Sequence, residues 1–184
     1  MPNELPIAKG SWTFDPDHSS VAFKVRHFGL TNVHGRFNDV VASLDVGDDL
    51  ASTQVTATIA MASINTNQAD RDEHLRGTDL FSAELQPTMT FASTVVRGAG
   101  ESHDEADGTL TVNGITKPIT LGVEFTGAVV HPGDGKLHAG FSAKARVQRD
   151  EFGVDFNLPL GVEAVALGKR IDVEIEAQFT APDA

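Results

Sequence analysis

Residues 18–37 read HSSVAFKVRHFGLTNVHGRF, and the fold can be inferred outward from this stretch. In its first half every second residue is apolar, namely Val21, Phe23 and Val25. A period of two is typical of a β-strand with one face toward an apolar interior and the other toward water. His27 continues the inward parity, so we expect it at the inner end of the strand. We expect Thr31 and Asn32 to make the turn that follows.

The second half of the stretch continues the strand pattern with a change of parity. Val33, Gly35 and Phe37 fall on one parity, whereas the apolar residues of the next segment, VVASLDV at 40–46, fall on the other. An extra residue in a strand reverses the parity of all that follows it, so we predict a bulge near Asn38 and Asp39.

The same alternation recurs along the whole chain. It is present in TQVTATIAMASI (53–64), TMTFASTVV (88–96), ITLGVEFTGAVV (119–130), HAGFSAKARVQR (138–149) and RIDVEIEAQF (170–179). With WTF near the start, VVASLDV and GTLTV at 108–112, about eight or nine strands are predicted. Parity places one set of residues inward: Phe23, Phe91, Val95, Val123 and Phe141. It places their neighbours outward: Lys24, Thr90, Glu124 and Lys144.

Turns and one helix separate these strands. GESHDEADG at 100–108 is predicted to be a solvated hairpin loop. Residues 67–76, NQADRDEHLR, are predicted to be helical, with Thr66 or Asn67 as the N-cap. The chain is therefore predicted to be an all-β antiparallel β-barrel of about eight strands with one short helix, because closure removes exposed strand edges. We expect a single domain over 1–184 with a core at about 11–180.

The inward positions combine large and small side chains. Ala57, Ser93, Ala143 and Ala145 share the interior with phenylalanines. Small residues at these positions leave room for a ligand, although tapering barrels also use them to fit bulky partners. The sequence contains 11 Phe and no Tyr, which offers ring surface without hydroxyl groups.

Composition excludes several classes of function. The net charge of −12 argues against binding to nucleic acid or to anionic membranes, which require dense Lys and Arg. No Cys is present, which excludes disulfides and thiolate metal sites. No apolar run approaches the ~20 residues of an integral membrane segment. The stretch MPNELPIAKGSW lacks an apolar signal region, so we expect a cytoplasmic protein.

Two local clusters suggest chemistry, and each also has a structural interpretation. His27 and His34 lack a third ligand nearby in sequence, so a hydrogen-bonded histidine is favoured over a metal site. Ser19, Ser20 and Asp17 surround His18, but adjacency in sequence does not make a catalytic triad. We therefore predict neither a catalytic set nor a metal centre.

A series of motifs resembles the YceI-like family in order. They are Trp12 with FDPDHSSVAFKVRHFG, VHGRF, SINTNQADRDEHLRGTDLF, PTMTFAST, GTLTVNGITKPITL and the RDEFG of 149–153. The resemblance implies a lipocalin-like barrel whose interior binds a polyisoprenoid or related long-chain amphiphile, and a possible homodimer. It implies an isoprenoid lipid or a quinone as the bound ligand and no other cofactor. Many family members are periplasmic.

These observations give a set of expected ligand contacts. Apolar contacts are expected from Phe23, Phe28, Phe37, Phe91, Phe141 and Phe152. His74, Leu75, Leu80 and Phe81 are expected near the barrel mouth. His27, Arg71 and Arg149 are expected at a polar head group, because a buried head must be hydrogen-bonded or paired.

Three functions remain open from the sequence. The first is a lipid-binding carrier or store without enzymatic activity. The second is an enzyme that modifies an isoprenoid-type lipid in the cavity, and the third is a stress-protective structural domain with a filled barrel. A hydrogen-bonded polar pair deep in the cavity would favour the enzyme, and a solidly packed interior would favour the third function.

Overall fold

The computed structural model describes residues 5–78, 80–100, 103–155 and 167–183; residues 156–166, inside the predicted core, lie outside this range. Ten strands form one antiparallel sheet. They are β1 (Gly10–His27), β2 (Thr31–Phe37), β3 (Val40–Val46), β4 (Gln54–Ala60), β5 (Ile64–Asn65), β6 (Thr88–Gly98), β7 (Asp104–Val112), β8 (Ile115–Val130), β9 (Leu137–Gln148) and β10 (Leu167–Thr180). Two 3₁₀ turns lie at Met61–Ser63 and Arg149–Phe152.

The sheet closes on itself as a lipocalin-like barrel. The order β10-β9-β8-β7-β6-β4-β3-β1 is completed by pairing between β1 and β10, which gives a closed ring of eight strands. β2 pairs with β1 on the same side as β3, and the two-residue β5 pairs with β2. The predicted fold class is confirmed.

β1 is long because it serves two neighbours on the same side. Its first residues, Gly10–Thr13, pair with β3, whereas Val21–His27 pair with β2. The predicted parity change at Asn38 and Asp39 is real. Its cause is a break between two strands that pair with different halves of β1, not a bulge within one strand.

The turn after β1 lies earlier than predicted. Thr31 already pairs with His27, and the turn comprises residues 28–30, with the Leu30 amide donating to the His27 carbonyl at 2.9 Å. Phe28 and Gly29 both have positive φ, 50° and 68°. Left-handed backbone at both central positions matches the twist of a hairpin, and Gly29 adopts it without steric cost. The prediction of a turn at Thr31 and Asn32 is therefore wrong.

The helix, α1, spans Ala69–Arg76, and its N-cap is Gln68 rather than Thr66 or Asn67. The Gln68 side chain accepts a hydrogen bond from the Arg71 amide. Thr66 is unavailable as a cap, because its amide and hydroxyl both donate to the carboxylate of the buried Asp72. No helix among the described residues is long and apolar enough to cross a membrane.

Strand parity is confirmed for most of the interior, with one exception. Phe23, Phe91, Val123 and Phe141 line a cavity inside the barrel, whereas their outward-predicted neighbours do not. In β6 a register shift between Ser93 and Val95 moves the inward position to Val96, which is 6% exposed. The inward placement of Val95 is therefore wrong, because a bulge reverses parity without changing the alternation on either side of it.

Two apolar clusters close the ends of the barrel. One, the Trp12 cluster, comprises Trp12, Leu44, Val46, Ala139, Phe141 and Phe179. The other, the Met61 cluster, comprises Phe37, Ile59, Met61, Ile64, Ala83, Val112 and Phe152. β1 runs from Trp12 toward Phe23, which packs against the Met61 cluster, so the two clusters lie at opposite ends.

Candidate functional site

An apolar cavity of about 340 Å³ lies between the two end clusters. All eight strands of the ring contribute to its wall, as strand parity requires of a closed barrel. Its wall is mostly aliphatic and aromatic, with Val25 and Phe23 from β1 and Ile171, Val173 and Ile175 from β10 as typical members. A cavity of this size falls within the range of small-molecule pockets.

Small side chains at inward positions leave the space. Ala57 of β4, Ala143 and Ala145 of β9 and Ala177 of β10 all line the cavity. A larger aliphatic residue at each position would fill the interior, as happens in barrels with solid cores. The interior therefore contains a void, as the mixture of large and small inward residues indicated.

The Met61 end of the cavity is covered by the helix and the turn after β9. Leu75 of α1 and Phe81 of the following loop pack against the Met61 cluster and line the cavity. Phe152 of the 3₁₀ turn is 4% exposed and lies in the same cluster. These side chains separate the cavity from solvent at this end.

Nine of the thirteen expected ligand contacts line the cavity. They are Phe23, Phe37, Leu75, Leu80, Phe81, Phe91, Phe141, Arg149 and Phe152. The other four lie outside the lining: His27, Phe28, Arg71 and His74. Contact of any of the thirteen with a ligand stays a prediction.

Arg149 lines the cavity, but its guanidinium is engaged by the backbone. It donates to the carbonyls of Gly168 at 2.9 Å, Val154 at 2.7 Å and Leu167 at 3.2 Å. Burial lowers the pKa of this guanidinium. Arg149 therefore joins the turn after β9 to the start of β10, a role that sequence alone did not indicate.

The remaining polar residues expected at a head group have local partners. Arg71 donates from Nε to the Thr66 hydroxyl at 2.7 Å and from Nη2 to the Thr66 carbonyl at 2.8 Å. The ring of His27 packs edge-on against that of Phe28, with centroids 4.2 Å apart. Phe28 itself is 41% exposed at the hairpin tip.

Asp104 is a cavity residue that sequence reasoning missed. It begins β7, so the predicted loop over 100–108 is too long, and residues 104–108 instead pair with β6 and β8. Burial raises the pKa of this carboxyl, and the nearby His103 lowers it to a smaller extent. An acidic run in the sequence resembles a solvated loop, and only the pairing shows that this one forms a strand.

A second set of polar residues lines the cavity near the middle of β1. It comprises Ser19, Ser20, Arg36, Asn38 and Glu176. Arg36 and Glu176 occupy outward parity on β2 and β10, so the sequence pattern predicted that they face solvent. Their contact with the cavity is not readable from alternation.

Three potential metal ligands lie outside the cavity, at the β8–β9 hairpin. One ligand atom each from His131, Asp134 and His138 lies within 4.8 Å of the other two. His138 is already hydrogen-bonded at both ring nitrogens: Nε2 donates to the Asp134 carboxylate at 2.9 Å, and Nδ1 accepts from the side-chain amide of Gln178 at 2.9 Å. A cation at Nε2 would displace the bond to Asp134.

Comparison with known families identifies the chain. The model of the YceI-like domain matches residues 12–179. The chain belongs to the YceI-like family. A UPF0312 protein of Staphylococcus epidermidis is 36% identical over 171 residues, which cover 92% of this chain and 96% of that protein. A UPF0312 protein of Staphylococcus aureus is 35% identical over 172 residues, which cover 92% and 97%.

Solved structures share the YceI-like barrel. The YCEI protein of Campylobacter jejuni is 30% identical, with a TM-score of 0.72 over 87% of this chain and 91% of that one. BcnA of Burkholderia cenocepacia has a TM-score of 0.77 at 20% identity over 90% of this chain and 98% of that one. A polyisoprenoid binding domain from Saccharophagus degradans has a TM-score of 0.65 at 15% identity over 95% and 100%. The last two are similar in fold alone.

Proposed function

We propose that the protein binds one long isoprenoid chain with a small polar head inside the barrel, as a carrier or store. The apolar cavity lined by all eight strands of the ring is the observation on which this proposal depends. Membership of the YceI-like family and the fold shared with a polyisoprenoid binding domain support the same ligand class. A quinone with an isoprenoid tail fits the same description.

Chain length is expected to dominate the affinity. An apolar wall offers contact area rather than directional bonds, and drug-sized ligands gain about 0.3 kcal/mol of binding free energy per heavy atom. A five-carbon isoprene unit therefore contributes roughly 1.5 kcal/mol. Each further unit that fits in the cavity should lower the Kd by about tenfold.

Binding is favoured over catalysis and over a purely structural role. Among the described residues that line the cavity, no two polar side chains are hydrogen-bonded to each other. Two charged residues of the lining lie on different parts of the barrel, Arg149 beside the Met61 cluster and Asp104 beside Val123 of β8. The other two, Arg36 and Glu176, form no ion pair with each other. The void itself argues against a solidly packed barrel.

The helix end provides a test of how the ligand is enclosed. If α1 acts as a lid, Leu75→Ala and Phe81→Ala should weaken lipid binding more than they lower the free energy of unfolding. Both residues pack against the Met61 cluster, so equal losses in binding and stability would show that they merely close the barrel end. Urea denaturation without ligand, beside a lipid titration, separates the two outcomes.

A titration with polyprenols of increasing length, with and without a chelator, tests the proposal. The Kd should fall with length until the cavity is full and should be unchanged by the chelator. A Kd that does not change with the length of the polyprenol, or binding that is lost when the chelator is added, would refute the proposal. Mass spectrometry of organic extracts from the purified protein would identify a ligand acquired during expression. The expected homodimer is a separate question, which light scattering of the purified protein tests.

A further inference from the structure

The barrel wall has an unpaired stretch in the middle of β1. On one side, β1 pairs with β10. On the other side, pairing with β3 ends at Thr13 and pairing with β2 begins at Val21. Residues 14–20 therefore have no partner in β2 or β3. Because of a bulge they lie opposite only residues 176–179 of β10, which leaves on the order of 13 Å of strand edge at 3.3 Å per residue.

The cavity reaches the outer surface at this stretch. Successive side chains of a strand point to opposite faces of the sheet. The cavity is nevertheless lined both by the inward Val21 and by its outward neighbours Ser20 and Ala22. It is also lined by the inward Phe37 and the outward Arg36 of β2. Arg36, Asn38 and Glu176 of this lining are also exposed, which indicates that the cavity reaches solvent beside the unpaired stretch.

The opening is flanked by an ordered bulge rather than by frayed chain. Residues 16–19 of β1 all lie opposite the single residue Ala177 of β10. The carboxylate of Asp15 accepts hydrogen bonds from the Asp17 amide at 3.0 Å and from the His18 ring at 2.8 Å. The Ser19 hydroxyl donates to the Asp15 carbonyl at 2.6 Å. Bulges of this kind are concentrated beside functional sites.

The rim of the opening bears polar side chains with unused hydrogen-bonding capacity. Within the described residues, the side chains of Ser20, Arg36, Asn38 and Glu176 form no hydrogen bond or ion pair with one another or with a neighbour, and the last three are exposed. Arg36 and Asn38 offer donors, Glu176 offers an acceptor, and the Ser20 hydroxyl offers both. The two charges cancel, and the chain as a whole has a net charge of −12.

We propose that the lipid enters the barrel through this lateral gap, which lies between residues 14–20 of β1 and Asn38. The polar side chains at the rim of the gap then hold an uncharged, hydroxyl-type head group. The inference depends on the proposed function, since it concerns the same cavity. A hydroxyl both donates and accepts, which matches the mixed rim. A diphosphate head group would lie beside the negative charge of Glu176 on a protein of negative net charge, and electrostatic repulsion therefore disfavours its binding.

The absence of cysteine from the sequence permits a direct test of the passage. Ser20→Cys is labelled with a bulky maleimide, and uptake of a fluorescent polyprenol is followed by stopped flow before and after labelling. Thr90→Cys, on the outward face of β6, is the matched control. Labelling at position 20 should slow uptake by at least about tenfold, while labelling at position 90 leaves the rate unchanged.

Each outcome of that experiment is decisive. Equal rates for the two labelled variants would overturn the lateral passage while leaving lipid binding intact. If the wild-type protein itself takes up no polyprenol, the proposed function fails, and the flat wild-type trace distinguishes that failure from the first.

The variant Arg36→Gln tests the head-group position. Its control is Lys117→Gln, which removes the same charge on β8 at a residue that does not line the cavity. Each is titrated with a polyprenol and with a headless isoprenoid hydrocarbon of equal length. Arg36→Gln should weaken polyprenol binding by about fivefold or more, with hydrocarbon binding retained. Equal effects on both ligands, or the same effect from Lys117→Gln, would overturn this assignment.

Discussion

Substitution of Ala143 by Phe tests whether the barrel interior is a ligand cavity. Ala143 lies on the inward face of β9, is 9% exposed and lines the cavity. Its cross-strand neighbours are Val123 and Ile175, which also line the cavity. A phenyl ring at this position therefore projects into the void.

The expected loss of affinity follows from the room that the ring takes. The substitution adds about six carbon atoms, slightly more than one isoprene unit, so one unit of a long ligand is displaced. At about 0.3 kcal/mol per heavy atom, this costs roughly 1.5 kcal/mol of binding free energy and raises the Kd about tenfold. A polyprenol short enough to leave the site empty should be affected less.

The effect on stability distinguishes a void from a packed core. Inserting a ring into a packed core costs about 1–3 kcal/mol, whereas a ring that enters a void adds apolar contact. We therefore expect the Tm of ligand-free Ala143→Phe to equal or exceed that of the wild type. The control is Ala139→Phe. Ala139 lies on the same strand, within the packed Trp12 cluster, and is 1% exposed. Its Tm should fall by roughly 2–4 °C per kcal/mol.

Calorimetry of the ligand-free proteins and lipid titration of both variants provide the measurements. A drop in Tm for Ala143→Phe equal to that of the control, with an unchanged Kd, would show that the interior is solid and that the lipid binds elsewhere. That result would refute the reasoning from inward small residues to a ligand cavity.

Two further predictions concern polar contacts near the opening and the helix. The hydrogen bond that the His18 ring donates to Asp15 raises the pKa of His18 above 6.5. Burial alone would raise the pKa of Asp15, but the bond from His18 and those from backbone amides hold it below 3.8. The His18 contribution to stability is lost as the pH rises through the raised pKa of His18, and the Asp15 contribution is lost as the pH falls through the lowered pKa of Asp15. The pair therefore stabilises the bulge most between pH 3.8 and 6.5. An NMR titration in which Asp15→Asn leaves the His18 pKa unchanged would contradict this. Asp72→Ala should lower the free energy of unfolding by about 1–3 kcal/mol, because it leaves the Thr66 amide without its acceptor. Asp72→Asn retains one acceptor oxygen and should lose less in urea denaturation, and equal losses would rule out this explanation.

Alternation in the sequence shows which residues face inward along each regular strand. Alternation is a local property, because adjacent side chains of an extended chain point to opposite faces whatever the strand pairs with. Phe23, Phe91, Val123 and Phe141 could therefore be placed correctly, and with them the apolar character of the interior. The family could be identified from the order of the motifs for a related reason, since each motif is a continuous stretch of the chain that needs no knowledge of tertiary contacts.

Local hydrogen bonds limited what could be predicted about ends and polar residues. The choice of Gln68 rather than Thr66 as the N-cap depends on Asp72, whose carboxylate is brought to Thr66 only once the helix has formed. Arg149 was expected at a ligand head group, which stays a prediction, and its guanidinium donates to carbonyls at the start of β10, which are remote in sequence. The sequence shows that such a side chain is polar without showing which partner it meets.

Only the tertiary structure decided where the barrel is open. The gap arises because β1 pairs first with β3 and then with β2, while β10 stays paired on the other side of β1. The bulge at residues 16–19 lies between the two paired segments. Hydrogen bonds between segments far apart in the chain set which strand pairs with each half of β1. The inward parity of β1 changes from Trp12 and Phe14 to Val21 and Phe23 across the bulge, and this change does not show that the pairing partner also changes. Arg36 and Glu176 are exposed, as their outward parity indicates, and they also line the cavity beside the unpaired stretch of the wall, which alternation does not show.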